Sequence, residues 1–175
     1  MFVIVRNALC AIAYAWLAAV TCAAQEPNES AVEKATIALI THGGGAHVEL
    51  YLQSLAKAEE VGTVVVADAD GKYVEPARNA LGTKLGEVYT DYRELLANEK
   101  PRMALVSMEA KLAPPAIEAA LDAGCPVMAE KPACVNAEDF AKLAAKAEEK
   151  KLHLMLALCN RVNPEVIEAK RLMEA

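Results

Sequence analysis

The chain has 175 residues, of which 55% are hydrophobic, 24% charged and 5% aromatic, with a formal net charge of −6. That length allows one compact domain and excludes most two-domain enzymes, and the composition is globular, not disordered. The acidic balance excludes a surface built to attract nucleic acid or an anionic membrane.

Residues 1–24 read as a secretory signal peptide: Arg6 near the start, an apolar run from Ala8 to Val20, then small residues through Ala24 before polar Gln25 and Glu26. A membrane anchor is the competing reading, but the run is short for a span of about 20 residues. Cleavage near Gln25 is therefore expected, with export to the periplasm or the medium and no membrane span afterwards. Lipidation at Cys22 fits less well, because Val20 and Thr21 precede it. Residues 25–35 are polar and aperiodic, a flexible tether, and the domain is expected over 36–175.

From Thr36 onward short apolar runs alternate with amphipathic stretches. The runs Ile37 to Ile40, Val64 to Ala67, Ala104 to Val106, Val127 to Met128 and Leu152 to Leu158 suit strands buried on both faces of a parallel sheet. Helical spacing recurs in Val48, Tyr51, Leu52 and Leu55, in Ile117 and Leu121, and in Phe140, Leu143, Ala144 and Ala147. Helix starts are expected at Asp91 and Asn136 and at Pro114 and Pro115, with Gly124 closing a helix. Repeated βα order with right-handed crossovers gives an α/β fold, a doubly wound, mainly parallel sheet of Rossmann type with helices on both faces.

The first strand runs into Thr41, His42, Gly43, Gly44, Gly45 and Ala46 and then a helix. A pyrophosphate must approach backbone amides at a helix start closely, which glycines permit. Against GxGxxG the three marked positions are Thr41, Gly43 and Ala46, so threonine departs from the pattern at the first. His42 either touches the phosphates or packs within the turn, and the glycines also suit a plain tight βα turn. Asp68 ends the second strand at close to the roughly 20-residue spacing of a ribose-binding acid. A carboxylate there accepts from both ribose hydroxyls and repels a 2′-phosphate, favouring NAD over NADP. Asp70 is a near competitor, and a solvated loop acid is the plain alternative.

Later in the chain Val127, Met128 and Ala129 lead into Glu130, Lys131 and Pro132 at the carboxyl edge, where doubly wound folds bind ligands. The cysteines past the signal, Cys125, Cys134 and Cys159, form no disulfide framework and are expected to be buried small hydrophobes. His42, His47 and His153 lack partners at metal-ligand spacing. No GxSxG elbow or phosphate-binding GxxxxGK[ST] loop is present.

The glycine turn, the acid after the second strand, the helix Tyr92-Arg93-Glu94-Leu95-Leu96, Ala123-Gly124, the Glu130-Lys131-Pro132 motif and Arg161-Val162-Asn163-Pro164 together resemble the Gfo/Idh/MocA family of oxidoreductases. The resemblance implies a dinucleotide-binding domain and hydride transfer at a hydroxyl carbon of a sugar or cyclitol. It places Lys131 beside the nicotinamide as the catalytic or substrate-orienting cation, where a surface lysine is the plain alternative. Ser107, Met108, Glu130 and Arg161 join the turn and Asp68 in lining the cofactor. After the fourth strand the family carries threonine, proline, asparagine and histidine, whereas this chain has Ser107 to Ala113. The family's substrate-binding sheet domain lies beyond the matching segment, so the chain is expected to be incomplete as a stand-alone enzyme, with that domain supplied by a partner chain, lost, or encoded further along a longer gene. The competing reading is an exported, non-catalytic Rossmann binding or scaffold protein with a degraded site.

Overall fold

The computed structural model describes residues 33–174. The signal peptide and nearly all of the tether read from the sequence therefore lie outside the described residues. Six parallel strands form one sheet: β1 (Ala35–Thr41), β2 (Val61–Asp68), β3 (Leu85–Tyr89), β4 (Met103–Ser107), β5 (Val127–Ala129) and β6 (Leu154–Leu156). Their spatial order is β3-β2-β1-β4-β5-β6. The central strands are apolar on both sides because both sides are covered: Leu39, Ile40, Val64, Val66 and Ala104 are fully buried.

On one face lie α1 (Val48–Lys57) and α2 (Val74–Leu81). Their Val48, Leu52, Leu55, Ala77 and Leu81 pack on Ile37, Leu39, Val64, Val66 and Leu105. On the other lie α3 (Tyr92–Glu99), α4 (Ala113–Asp122) and α5 (Ala137–Glu149). There Leu95, Leu96, Ile117, Leu121, Leu143 and Ala147 pack on Ala38, Ile40, Val65, Ala67 and Val106. Each fully buried branched side chain contributes about 1.5–3 kcal/mol relative to exposure, so the sheet centre is the rigid platform that carries the loops. A last helix, α6 (Pro164–Met173), buries none of its residues.

The expected caps are present. Asp91 accepts from the Arg93 amide and Asn136 from the Asp139 amide. Prolines open α4, and Gly124 takes φ 77 after it. Three expectations are corrected. The final apolar run forms a strand only over Leu154–Leu156. Ala144 is exposed and Phe140 half-buried, so α5 rests mainly on Leu143 and Ala147. Of the cysteines only Cys125 is buried, and burial pushes its thiol up to about 11. Cys134 is half-buried against the core, and Cys159 is exposed in the turn that follows the edge strand β6.

Candidate functional site

The order β3-β2-β1-β4-β5-β6 reverses direction between β1 and β4. The chain leaves β1 for one face and β4 for the other, which opens a crevice at their carboxyl ends. Thr41 and Ser107 stand in register there, and the Thr41 hydroxyl donates to the Ser107 carbonyl at 2.8 Å. Ser107 in turn donates from its hydroxyl to the Ala46 carbonyl at 2.5 Å. Both residues are buried. They tie the turn to the sheet instead of facing solvent, so threonine at the first motif position works as a strap between strands.

That strap explains the third glycine. A Cβ on Gly45 would fall 2.5 Å from the Ser107 carbonyl oxygen and closer still to the Thr41 hydroxyl. Gly43 and Gly44 differ. Their missing Cβ atoms point at the ends of flexible side chains, Asp70 Oδ2 at 2.6 Å and Glu109 Oε1 at 2.5 Å respectively. The turn closes with Gly45 N–H donating to the His42 carbonyl at 2.8 Å, while Gly44 N–H donates to His42 Nδ1 at 3.0 Å. α1 starts only at Val48, and His47 before it holds φ 58, a left-handed conformation that histidine tolerates better than most residues.

Asp68 ends β2 beside the turn, in register with Thr41, and is 1% exposed. Its Oδ2 accepts from the Tyr73 amide at 2.6 Å, and its Oδ1 is a buried oxygen without a partner among the described residues. One carboxylate oxygen is thus used to turn the chain into α2, and Oδ1 is the one without a donor among the described residues. Sequence reasoning missed the two residues that close this segment on the turn. Lys72 Nζ donates to the Gly43 carbonyl at 2.7 Å, and the Tyr73 hydroxyl donates to the Gly45 carbonyl at 3.1 Å. Their cue was only the spacing from Asp68, which does not reveal that the loop folds back.

Beside the crevice, Thr41, Ala67, Ala69, Thr90 to Arg93 and Met108 line a hollow of about 230 Å³. The Arg93 guanidinium lies 4.6 Å from the centre of the Tyr92 ring at its edge.

Across β4, Glu130 follows β5 and is 4% exposed. Its Oε1 accepts the Lys131 amide at 2.8 Å, and its Oε2 receives the Tyr51 hydroxyl and lies 3.1 Å from His47 Nδ1. Burial alone would push this carboxyl up. The Tyr51 hydroxyl, the Lys131 amide and His47 outweigh burial and hold it below the usual carboxylate range. Tyr51 is pushed up in turn, by burial first and then by its bond to Glu130. His47, just before α1, and Tyr51, within it, were not singled out as functional in the sequence; the available signal was their spacing of four across the helix start.

Lys131 Nζ lies 3.8 Å from Glu130 Oε1 and is half exposed. It faces a cleft of about 820 Å³ whose wall includes Leu50, Tyr51, Met128, Met155, Leu158 and Arg161. The structure thus divides the expected residues into two groups. Thr41 to Ala46, Asp68, Ser107 and Met108 gather at the turn and the hollow beside it. Glu130, Lys131 and Arg161 gather in the cleft, and α1 joins the two. Among the described residues no cluster of three or more metal-ligating side chains occurs.

The fold recurs in solved structures. A scyllo-inositol dehydrogenase from Lactobacillus casei, with bound NAD(H) and scyllo-inositol, matches with TM-score 0.71 and 20% identity over 81% of this chain and 41% of its own. A myo-inositol 2-dehydrogenase from Lactobacillus plantarum gives TM-score 0.71 and 22% identity over 81% and 41%. An NAD binding oxidoreductase from Klebsiella pneumoniae gives 0.64 and 23% over 81% and 39%. The chain thus spans about two fifths of these proteins, and at such identities the likeness establishes the fold. Among curated proteins none matches in sequence. The family described as "Oxidoreductase family, NAD-binding Rossmann fold" matches residues 24–158. That match covers all six strands and every residue of the two groups except Arg161, and the chain belongs to the Gfo/Idh/MocA family, of which it carries the NAD-binding Rossmann domain.

Proposed function

We propose that the chain binds a dinucleotide along the β1–β4 crevice, NAD in preference to NADP, and presents the reacting ring to Lys131. It would then be the cofactor half of an oxidoreductase acting on a hydroxyl carbon of a sugar or cyclitol-like substrate. The inositol dehydrogenases that share the fold supply the substrate class. Because the chain spans about two fifths of them, the substrate-binding part would come from a partner chain or from further sequence.

The observation that carries this reading is the Asp68 carboxylate, with Oδ1 buried and unpartnered beside a glycine turn. A buried acceptor without a donor costs about 1–3 kcal/mol, and a ribose hydroxyl is a donor of the right chemistry at that strand end. Thr41, Ser107 and Gly45 hold the turn to the sheet, leaving the pyrophosphate to the turn backbone and to Lys72. The hollow floored by Ala67, Ala69 and Met108 suits adenine. When bound, the dinucleotide supplies the hydride acceptor or donor. Lys131 orients the hydroxyl and stabilises developing negative charge on its oxygen. Glu130 anchors the Lys131 backbone from beneath, and Arg161 lies on the far wall of the cleft.

Calorimetric titration of NAD, NADH and NADP into the purified protein tests the reading: saturable binding with NAD(H) favoured is expected. Asp68→Ala is expected to weaken NAD about tenfold, the loss of one charge-assisted hydrogen bond, and to narrow the gap between NAD and NADP. Unchanged affinity for both would remove Asp68 from the site.

A second reading, an exported non-catalytic Rossmann protein, is favoured by the His42 ring on the Gly44 amide and the Glu109 carboxylate over the turn. A folded protein that binds no dinucleotide at millimolar ligand, with Glu109→Gln and His42→Ala binding none either, would establish it. Under both readings the leader over residues 1–24 directs export; N-terminal sequencing of the exported product should begin near Gln25, and a retained Met1 would refute cleavage.

A further inference from the structure

We propose that His42 and Glu109 set the dinucleotide affinity of this chain by latching the crevice shut over Gly44. The proposal rests on the crevice being the dinucleotide site. His42 leaves the end of β1, and its ring reaches both walls. Nδ1 accepts the Gly44 amide at 3.0 Å, and Nε2 lies 3.3 Å from the Glu109 amide nitrogen on the loop after β4. A neutral imidazole has a single acceptor nitrogen, so only one of these contacts is a hydrogen bond at a time, and the shorter one is within the turn. The turn amide that an entering phosphate needs is thereby already satisfied.

Glu109 completes the closure. Its Oε1 lies 2.5 Å, and its Cδ 3.1 Å, from the position a Gly44 Cβ would take, with His42 Cε1 at 2.8 Å from the same point. A carboxylate and an imidazole therefore stand where a Gly44 side chain would be, at the approach to the turn amide. Asp70 adds a second carboxylate over Gly43, and Lys72 is the cation on the Gly43 carbonyl. A pyrophosphate entering here has to expel two anionic side chains and break the His42 contact. Glu109 is exposed and His42 half-buried, so both can swing away without disturbing the sheet. Affinity is then the intrinsic value reduced by the fraction of molecules with the latch open.

The test is calorimetric titration of NAD into the wild type, Glu109→Gln and His42→Ala, each checked for folding by its thermal midpoint. Glu109→Gln keeps the shape and removes one charge; it is expected to tighten NAD about three- to tenfold, the effect of one charge at a partly solvated contact. That gain should shrink at high salt. His42→Ala is expected to tighten NAD as well and to move the Gly44 amide resonance in the absence of ligand, as its acceptor is lost. If the wild type binds and both variants bind equally or more weakly, the latch is refuted while the dinucleotide site stands. If only the variants bind, the latch is established. If none of the three binds, latch and site fall together, since an opened crevice should have accepted the ligand.

Discussion

Gly45→Ala is expected to destabilise the protein by about 2–3 kcal/mol, the cost of forcing a methyl group into a packed site, and to abolish dinucleotide binding. The added Cβ would meet the Thr41 hydroxyl, the Ser107 carbonyl oxygen at 2.5 Å and Val48 Cγ2 at 2.9 Å. None can retreat freely. The carbonyl belongs to the end of a central strand, the hydroxyl is held by its bond to that carbonyl, and Val48 is packed in the α1 core. Gly43→Ala is expected to cost under about 1 kcal/mol, because its methyl group displaces only the mobile Asp70 carboxylate end, and Gly44→Ala somewhat more, because the His42 ring at 2.8 Å must also give way. Urea midpoints of the three variants separate these cases, and equal losses would show that the turn relaxes as a unit. Adding Thr41→Ala to Gly45→Ala should recover only part of the loss, since the Ser107 carbonyl remains.

The same strap shows why the fold was more legible than the site. β1, β2 and β4 are buried on both faces, so they stand out as uninterrupted apolar runs whatever their neighbours. β3 does not, because it is the edge strand: Glu87 and Val88 are exposed, and Gly86 lies against Thr63 and Val65 of β2. α2 rests on only two buried residues, Ala77 and Leu81, and carries Pro76 in its first turn, so its apolar stripe is short and reads as a loop. At the site, the glycines, Asp68 and Lys131 are legible because they sit at strand ends in a fixed order. Thr41 looked like a defect of the glycine motif; only the structure shows its hydroxyl filling the space that Gly45 leaves. Lys72 and Tyr73 on the turn, and His47 and Tyr51 on Glu130, were hidden for a different reason. Each bond joins segments distant in sequence, and Tyr51 had been accounted for as part of an apolar stripe. Cys159 was misread as buried because nothing in the sequence marks β6, which it follows, as the edge strand.

Glu130→Ala is expected to cost about 2–3 kcal/mol near neutral pH, since it strips charge-assisted hydrogen bonds from donors that were built around one buried acceptor. Tyr51 and the Lys131 amide lose their partner together, and the turn that carries Lys131 loses its anchor on β5. The contribution also depends on pH, with a definite sign. The carboxyl is held below its usual value in the folded protein, so the folded state favours the charged form. Its stabilisation is complete above the unfolded-chain value of about 4.3 and is lost as pH falls through the lower folded value. The stability gap between wild type and Glu130→Gln, from urea midpoints between pH 7 and pH 3, should therefore stay constant down to about pH 4.3 and then close. Tyr51→Phe removes the strongest of the three donors and should reproduce part of both the neutral-pH loss and the acid closure. A gap that persists unchanged to pH 3 would mean that the fold does not favour the charged form of Glu130, and a gap that widens on acidification would mean that the acid is held neutral in the folded chain. The acid would then be a packing residue, and Lys131 would owe its position to the strand alone.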